Sequence, residues 1–139
     1  MKTTDPIIDL LRAVPGLSAE PDRSLARLVP LVDVAHVDAG RELAREGTAG
    51  RQAFVVIEGH GQVLVDGEPI ATVGPGEFVG EMAMLDNQPR SATVRAETPM
   101  RVLVIGPQAF SDFVGHRRVG RAMATQLAQR LRVADAGRG

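Results

Sequence analysis

From Val32 to Ile105 the chain is a succession of short β-rich runs, VDVAHVDAG, FVVIEGHGQVLVDGEPIATVGPGEF and ATVRAETPMRVLVI, punctuated by glycine. Few folds accept that texture. Short strands and turns spaced in this way predict an all-β sandwich or barrel. Asp66-Gly67, between QVLV and EPIATV, is the strongest hairpin signal in the run, because both residues tolerate the positive φ of a type I′ turn. Helical patterns flank the run. On the N-terminal side Ile7, Ile8, Leu11 and Val14 form one, and Leu25, Leu28, Val29 and Val32 form a second after the start signals Ser18 and Pro21, with Pro15-Gly16 between them. Beyond Pro107, the residues Phe110, Phe113 and Val114 predict a short helix. Val119, Ala122, Met123, Leu127, Leu131 and Ala134 then recur at the spacing of a longer amphipathic one. The division expected is one domain over 1–139, with helices over 1–31, the β region over 32–106, C-terminal helices over 107–135 and a frayed tail at 136–139.

Composition removes several classes of function. A chain of 139 residues fits one domain that buries roughly two-thirds of its unfolded surface, so no second domain needs to be sought. The formal net charge of −1 gives no general attraction to nucleic acid or to an anionic membrane, so any anion must be caught locally. With no cysteine there is no disulfide and no thiolate chemistry. The segment Met1 to Leu11, carrying Asp5, Pro6 and Asp9, has neither a basic leader nor a long apolar run, so neither a signal peptide nor a membrane segment is expected and the cytoplasm is the default. His36, His60 and His116 lack the paired spacing of metal ligands, so no metal is expected. Gly74-Pro75-Gly76 is not followed by Lys-Ser or Lys-Thr and is not a P-loop. No serine has a nucleophile-elbow context, so an enzyme is not expected and no residue is assigned a catalytic role.

The stretch FVGEMAMLDNQPRSATV, Phe78 to Val94, resembles neither a plain strand nor a surface loop. Its order reads as strand, short helix over Met82 to Leu85, polar turn over Asp86 to Gln88, and strand again from Ala92 to Val94. A helix starting near Gly80 leaves the first backbone amides, around Glu81 to Ala83, without intrahelical partners, and such donors attract an anion. Gly80 lets backbone approach closely. Arg90 on the returning strand offers a planar fork of donors to a phosphate, and Ser91 adds another. Glu81 beside these donors suits a ligand that carries hydroxyls as well as phosphate, with Arg90 balancing its charge; the alternative is an ordinary Glu81–Arg90 ion pair closing a loop.

These residues resemble the phosphate-binding cassette of cyclic-nucleotide-binding domains, as found in catabolite-activator regulators and in the regulatory subunits of cAMP-dependent protein kinase. The family pattern is roughly F-G-E-[LI]-A-L, a variable turn, then P-R-[AST]-A-T-V. The resemblance extends to the paired N-terminal helices, the run Phe54 to Val63, the step Gly74 to Phe78 and the long last helix. It implies a mainly β fold with flanking helices, an antiparallel β-roll of the jelly-roll-like double-stranded β-helix type. It further implies that Glu81 accepts from the ribose 2′-OH, that Gly80, Met82 and Ala83 line the phosphate with backbone, that Arg90 pairs with the phosphate charge, and that Ser91 donates to the same phosphate, with Ala92 beside it among the ligand-binding residues. Met82 stands where the family usually has Leu or Ile, a volume-conserving change. Ser91 suits cAMP and can also favour guanine, so cAMP is the expected ligand with cGMP as the alternative, and no cofactor is expected. On the base side, Ala134 and Asp135 stand where the bacterial regulators place hydroxyl residues. Asp135 either accepts from the adenine amino group or is a solvated helix-end charge.

The chain stops at Gly139, where the catabolite-activator regulators continue into a helix-turn-helix, so a DNA-binding domain is not expected. The function expected is a stand-alone cAMP sensor that signals through its last helix to a protein partner or to a second copy. A second register on that helix, Gly120, Ala124, Leu127, Leu131 and Ala134, offers a homodimer seam. The alternatives are a roll that has lost nucleotide binding and serves as an interaction module, or the regulatory part of a larger enzyme or transporter. Arg117, Arg118, Arg121, Arg130 and Arg132 read as the solvated face of the last helix, with contact to nucleic acid or an acidic partner as the sharper option.

Overall fold

The computed structural model describes residues 5–137, with side chains as far as Arg132. Helix α1 (Pro6–Leu11) starts where the Asp5 carboxylate accepts from the Ile7 amide at 2.9 Å, and Pro6 sits in the first turn, where its missing N–H removes no helical bond. Helix α2 (Asp22–Ala26) is shorter than its apolar pattern predicts. The chain passes through a 3₁₀ turn, Val29–Leu31, and enters strand β1 (Val32–Val37), so Val32 belongs to the sheet and not to the helix. Pro30 inside that turn has no amide with which to extend a helix.

Seven more strands follow: β2 (Glu42–Ala44), β3 (Ala53–Glu58), β4 (Gly61–Val65), β5 (Glu68–Val73), β6 (Phe78–Val79), β7 (Thr93–Ala96) and β8 (Met100–Ile105). They form two antiparallel four-stranded sheets, in the orders β1-β8-β3-β6 and β2-β7-β4-β5. This is the expected β-roll. The β4–β5 hairpin turns at Asp66 and Gly67, with φ of 51° and 78°, as the turn chemistry requires. The short strand β2, too brief to show a period, is absent from the sequence reading.

β3 and β8 are buried on both faces, and the period-two alternation of strand side chains divides their residues between two cores. Val55, Leu103 and Ile105 face the helices, where they meet Leu11, Leu25, Phe110, Phe113 and Met123. Val56 and Val102 face the interior of the roll with Phe54, Val79 and Val94. All four phenylalanines are buried.

Helix α4 (Pro107–Gly115) and the long helix α5 (Arg117–Gly137) meet at His116. Val119 and Met123 of α5 are buried in the helix-side core and Leu127 packs on it, but Leu131 is 61% exposed, so the apolar stripe stops a turn early. Gly120, placed in the homodimer register by its spacing, serves the fold of its own chain: a Cβ there would stand 2.8 Å from the Val114 carbonyl oxygen. The helix runs two residues past the expected end at 135, and the rest of the expected tail, 138–139, lies outside the described residues.

Candidate functional site

The polypeptide leaves the first sheet through β6 and enters the second through β7. The crossing is helix α3 (Glu81–Asp86) and the loop that follows it. β6 pairs with β3, Phe54 opposite Val79 and Val55 opposite Phe78, which sets α3 beside β3 at the edge of the first sheet. Gly80 caps α3 in the left-handed region at φ 78°, a conformation that strains residues with a Cβ. Its missing side chain has a second use: a Cβ there would collide with Nη1 of Arg90. At the other end Asn87 adopts φ 56°, and the Asp86 carboxylate accepts from the Gln88 amide at 2.9 Å, turning the chain back toward β7.

Arg90 is held from several sides. Its backbone N–H donates to Thr48 O at 2.8 Å, and its carbonyl accepts from the Gly47 amide at 2.9 Å. Nη2 donates to Gln52 O at 2.9 Å, and the guanidinium carbon lies 5.9 Å from the centre of the Phe54 ring, within cation–π range. Gly50 closes the wall, where a Cβ would stand 2.6 Å from that of Ala83 and 3.3 Å from Arg90 Cζ. Burial lowers the Arg90 pKa below the ordinary arginine value. Nη1 is buried and has no hydrogen-bond partner.

Glu81 is 1% exposed. Burial pushes its carboxyl above the usual carboxylate range, and the charge of Arg130 works in the opposite direction. Arg130 comes from α5: Nη1 donates to Glu81 Oε1 at 2.7 Å and Nη2 to Phe78 O at 2.6 Å. One turn earlier, Gln126 pairs with both backbone groups of Phe78, accepting from its N–H and donating to its C=O, each at 3.0 Å. The second carboxylate oxygen, Oε2, is buried without a partner.

Two expectations are therefore corrected. The charge of Glu81 is balanced by Arg130 and not by Arg90, because α5 reaches the carboxylate while Arg90 is drawn to Gln52 and Phe54; among the described residues no Glu81–Arg90 ion pair exists. Arg130 does not belong to a solvated face, since its guanidinium is spent on the cassette. The structure brings Gly80, Glu81, Ala83 and Arg90 together. Met82 is 41% exposed, so its side chain is not packed among the residues brought together here. Ser91 is exposed on the bend before β7 and Ala92 is half-buried there, the strand starting one residue later than expected. Asp135 lies on α5, but its side chain is outside the described residues. Sequence reading missed Thr48, Gly50, Gln52, Gln126 and Arg130. Only the last two left a trace, a spacing of four on one helix face.

Fold and site together place a buried acceptor, Glu81 Oε2, and a buried donor, Arg90 Nη1, both without partners, at a crossing between two sheets. The cyclic nucleotide-binding domain family matches residues 34–117, and the chain belongs to that family. The cAMP-dependent protein kinase regulatory subunit of Emericella nidulans is 31% identical over 107 residues, which is 76% of this chain and 26% of that one. The chain thus spans about a quarter of the length of that relative. Among solved structures, cAMP-bound PfPKA-R superposes with a TM-score of 0.81 at 22% identity, over 93% of this chain and 45% of the other. The regulatory subunit of a cAMP-independent protein kinase A from Trypanosoma brucei gives 0.76 at 22%, over 88% and 46%. One fold thus serves a cAMP-bound protein and a cAMP-independent one, so the ligand must be argued from side chains.

Proposed function

We propose that this chain is a cyclic-nucleotide sensor, with cAMP as the ligand, in which Glu81 takes the ribose hydroxyl and Arg90 the cyclic phosphate. One observation carries the reading. Around α3 two buried polar atoms lack partners, and they are complementary in kind: Glu81 Oε2 is an acceptor and Arg90 Nη1 a donor. An unsatisfied buried polar group costs about 1–3 kcal/mol, more if charged, so a pair of them in one site favours a ligand that supplies one hydroxyl and one anionic oxygen. A ribose cyclic phosphate supplies both. Gly80, Met82 and Ala83 contribute backbone to the phosphate, Ser91 and Ala92 close its far side, and Asp135 remains the candidate for the adenine amino group.

Glu81 uses its two oxygens differently. Oε1 is taken by Arg130 while Oε2 is free, so α5 need not leave for the ribose to bind. Nucleotide and α5 then hold the carboxylate together, and each stabilises the other's position. The signal is the position of α5, read by a protein partner or by a second copy. The domain acts by binding and not by catalysis, and its setting is the cytoplasm; no described helix is long and apolar enough to cross a membrane.

Calorimetric titration of the wild type and of Arg90→Ala with cAMP and with cGMP tests the proposal. Saturable heat with cAMP that Arg90→Ala abolishes is expected. A flat wild-type titration with both nucleotides overturns it in favour of a roll that serves only as an interaction module.

A further inference from the structure

Once Arg130 is assigned to the cassette, the arginines clustered at the start of α5 stand unexplained. Arg117, Arg118 and Arg121 are all exposed at the start of the helix, and none has an acidic partner among the described residues. Their placement is electrostatically unfavourable twice over. They repel one another, and the partial positive charge at the start of a helix disfavours the two cations of the first turn, Arg117 and Arg118. The first turn of α5 contains no acidic residue to offset this.

The three side chains surround a recess of about 220 Å³. It adjoins a cleft of about 520 Å³ in which Pro15, Gly76 and Glu77 form one side and Arg118, Arg121 and Gln129 line the other, along α5. The cleft is therefore assembled from the N-terminal segment, the turn before β6 and α5, and it exists only while α5 lies on the roll. Its chemistry is that of a peptide groove: guanidinium forks for carboxylates, and the Gln129 amide for a backbone group.

We propose that this cleft docks an extended acidic segment of a protein partner, with Asp or Glu carboxylates on Arg117, Arg118 and Arg121. Charge complementarity supports an acidic peptide over a nucleic acid. The positive patch is short and faces Glu77 across the cleft, so a long continuous phosphate backbone would run into like charge, whereas a short peptide can set its carboxylates on the arginines alone. The chain has no Trp or Tyr, and its four phenylalanines are buried, so there is no aromatic platform on which unpaired bases would stack. The docking does not depend on the nucleotide reading, because neither Glu81 nor Arg90 lines the cleft.

Fluorescence anisotropy with a labelled peptide of alternating Glu and Ala tests this on the full chain, against the matching Gln–Ala peptide and a single-stranded oligonucleotide. The comparison variants are R117Q/R118Q/R121Q and, with the same change in charge at exposed arginines elsewhere, R23Q/R27Q/R41Q. Thermal melting confirms that both remain folded. The expected result is binding of the Glu peptide alone, weakened by about 10-fold or more in the α5 variant and by less than about 2-fold in the control. Equal losses in the two variants, equal binding of the Gln peptide, tighter binding of the oligonucleotide, or no binding of the Glu peptide would each overturn the proposal. Nucleotide titration of the α5 variant separates the two readings, since cAMP binding is expected to survive there.

Discussion

The cassette and helix α5 both converge on Glu81, and they do so by different means. In the cassette the parts are contiguous: Gly80 sets the left-handed start of α3, Glu81 follows it, and Arg90 returns on the same crossing. Helix α5 brings Arg130 from 49 residues further along the chain, to the same carboxylate, and Gln126 to the strand before it. The cassette supplies groups that lack partners; α5 supplies the counter-charge to one of them, the buried Glu81 carboxylate. A local segment can build the shape of a ligand site. Keeping a buried acid in it requires a partner that no local segment provides.

The sharpest way to break this comparison is Arg90→Ala. If the cassette alone holds the phosphate, loss of a desolvated arginine costs roughly 2–5 kcal/mol, about 30-fold to several-thousand-fold in cAMP affinity by calorimetry, with α5 still in place. An unchanged affinity would place the phosphate elsewhere.

Arg130→Met tests the other half. It leaves Glu81 buried without its counter-charge. Because Arg130 is partly exposed, the expected loss lies at the low end for such pairs, about 2–3 kcal/mol at neutral pH by urea denaturation. The loss has a defined pH dependence. Burial raises the folded-state pKa of Glu81, so the folded protein holds this proton more tightly than the unfolded one. The resulting contribution is fully present below the unfolded carboxylate value and falls as pH rises through the folded value. Removing Arg130 raises that value further, so the gap between variant and wild type widens from acid to neutral pH. In the background of Glu81→Gln the same substitution should show a flat profile, and a slope that persists would assign the effect to another group.

Gly80→Ala should cost about 1–2 kcal/mol of stability, from the positive φ alone, and weaken cAMP binding because the new methyl displaces Arg90. A variant that loses stability but keeps affinity would separate the two uses of this glycine. The smallest effect is expected for Met82→Ala, within about 0.5 kcal/mol in stability and about 2-fold in affinity, since its side chain is largely exposed. A large loss there would mean that α3 docks its side chain when ligand is present.

Much of this was legible beforehand wherever the signal is local. Asp66-Gly67 turned as its chemistry demands, the order strand, helix, turn, strand held across the cassette, and the four phenylalanines entered the cores. The early end of α2 was legible too, in Pro30, but the apolar pattern through Val32 outweighed it, because a buried strand and a buried helix face both present spaced aliphatic residues. The role of Arg130 was not legible. In the sequence it stands beside Arg132, Arg121 and Arg118, and nothing in composition distinguishes an arginine that reaches a buried carboxylate from one that reaches water.

By itself, then, the sequence determined most of the segments that would be strands, β2 and the start of β1 excepted, where the chain must turn with positive φ, and that a glycine, an acid and an arginine would share one crossing. Backbone preference and short-range periodicity suffice for these, and both act over a few residues. Only the tertiary structure decided which arginine answers Glu81, which buried atoms remain without partners, and which part of α5 faces the roll. Those outcomes depend on distances between segments far apart in the chain, and a charge in a low-dielectric interior is governed by whatever folding happens to bring within a few ångströms of it.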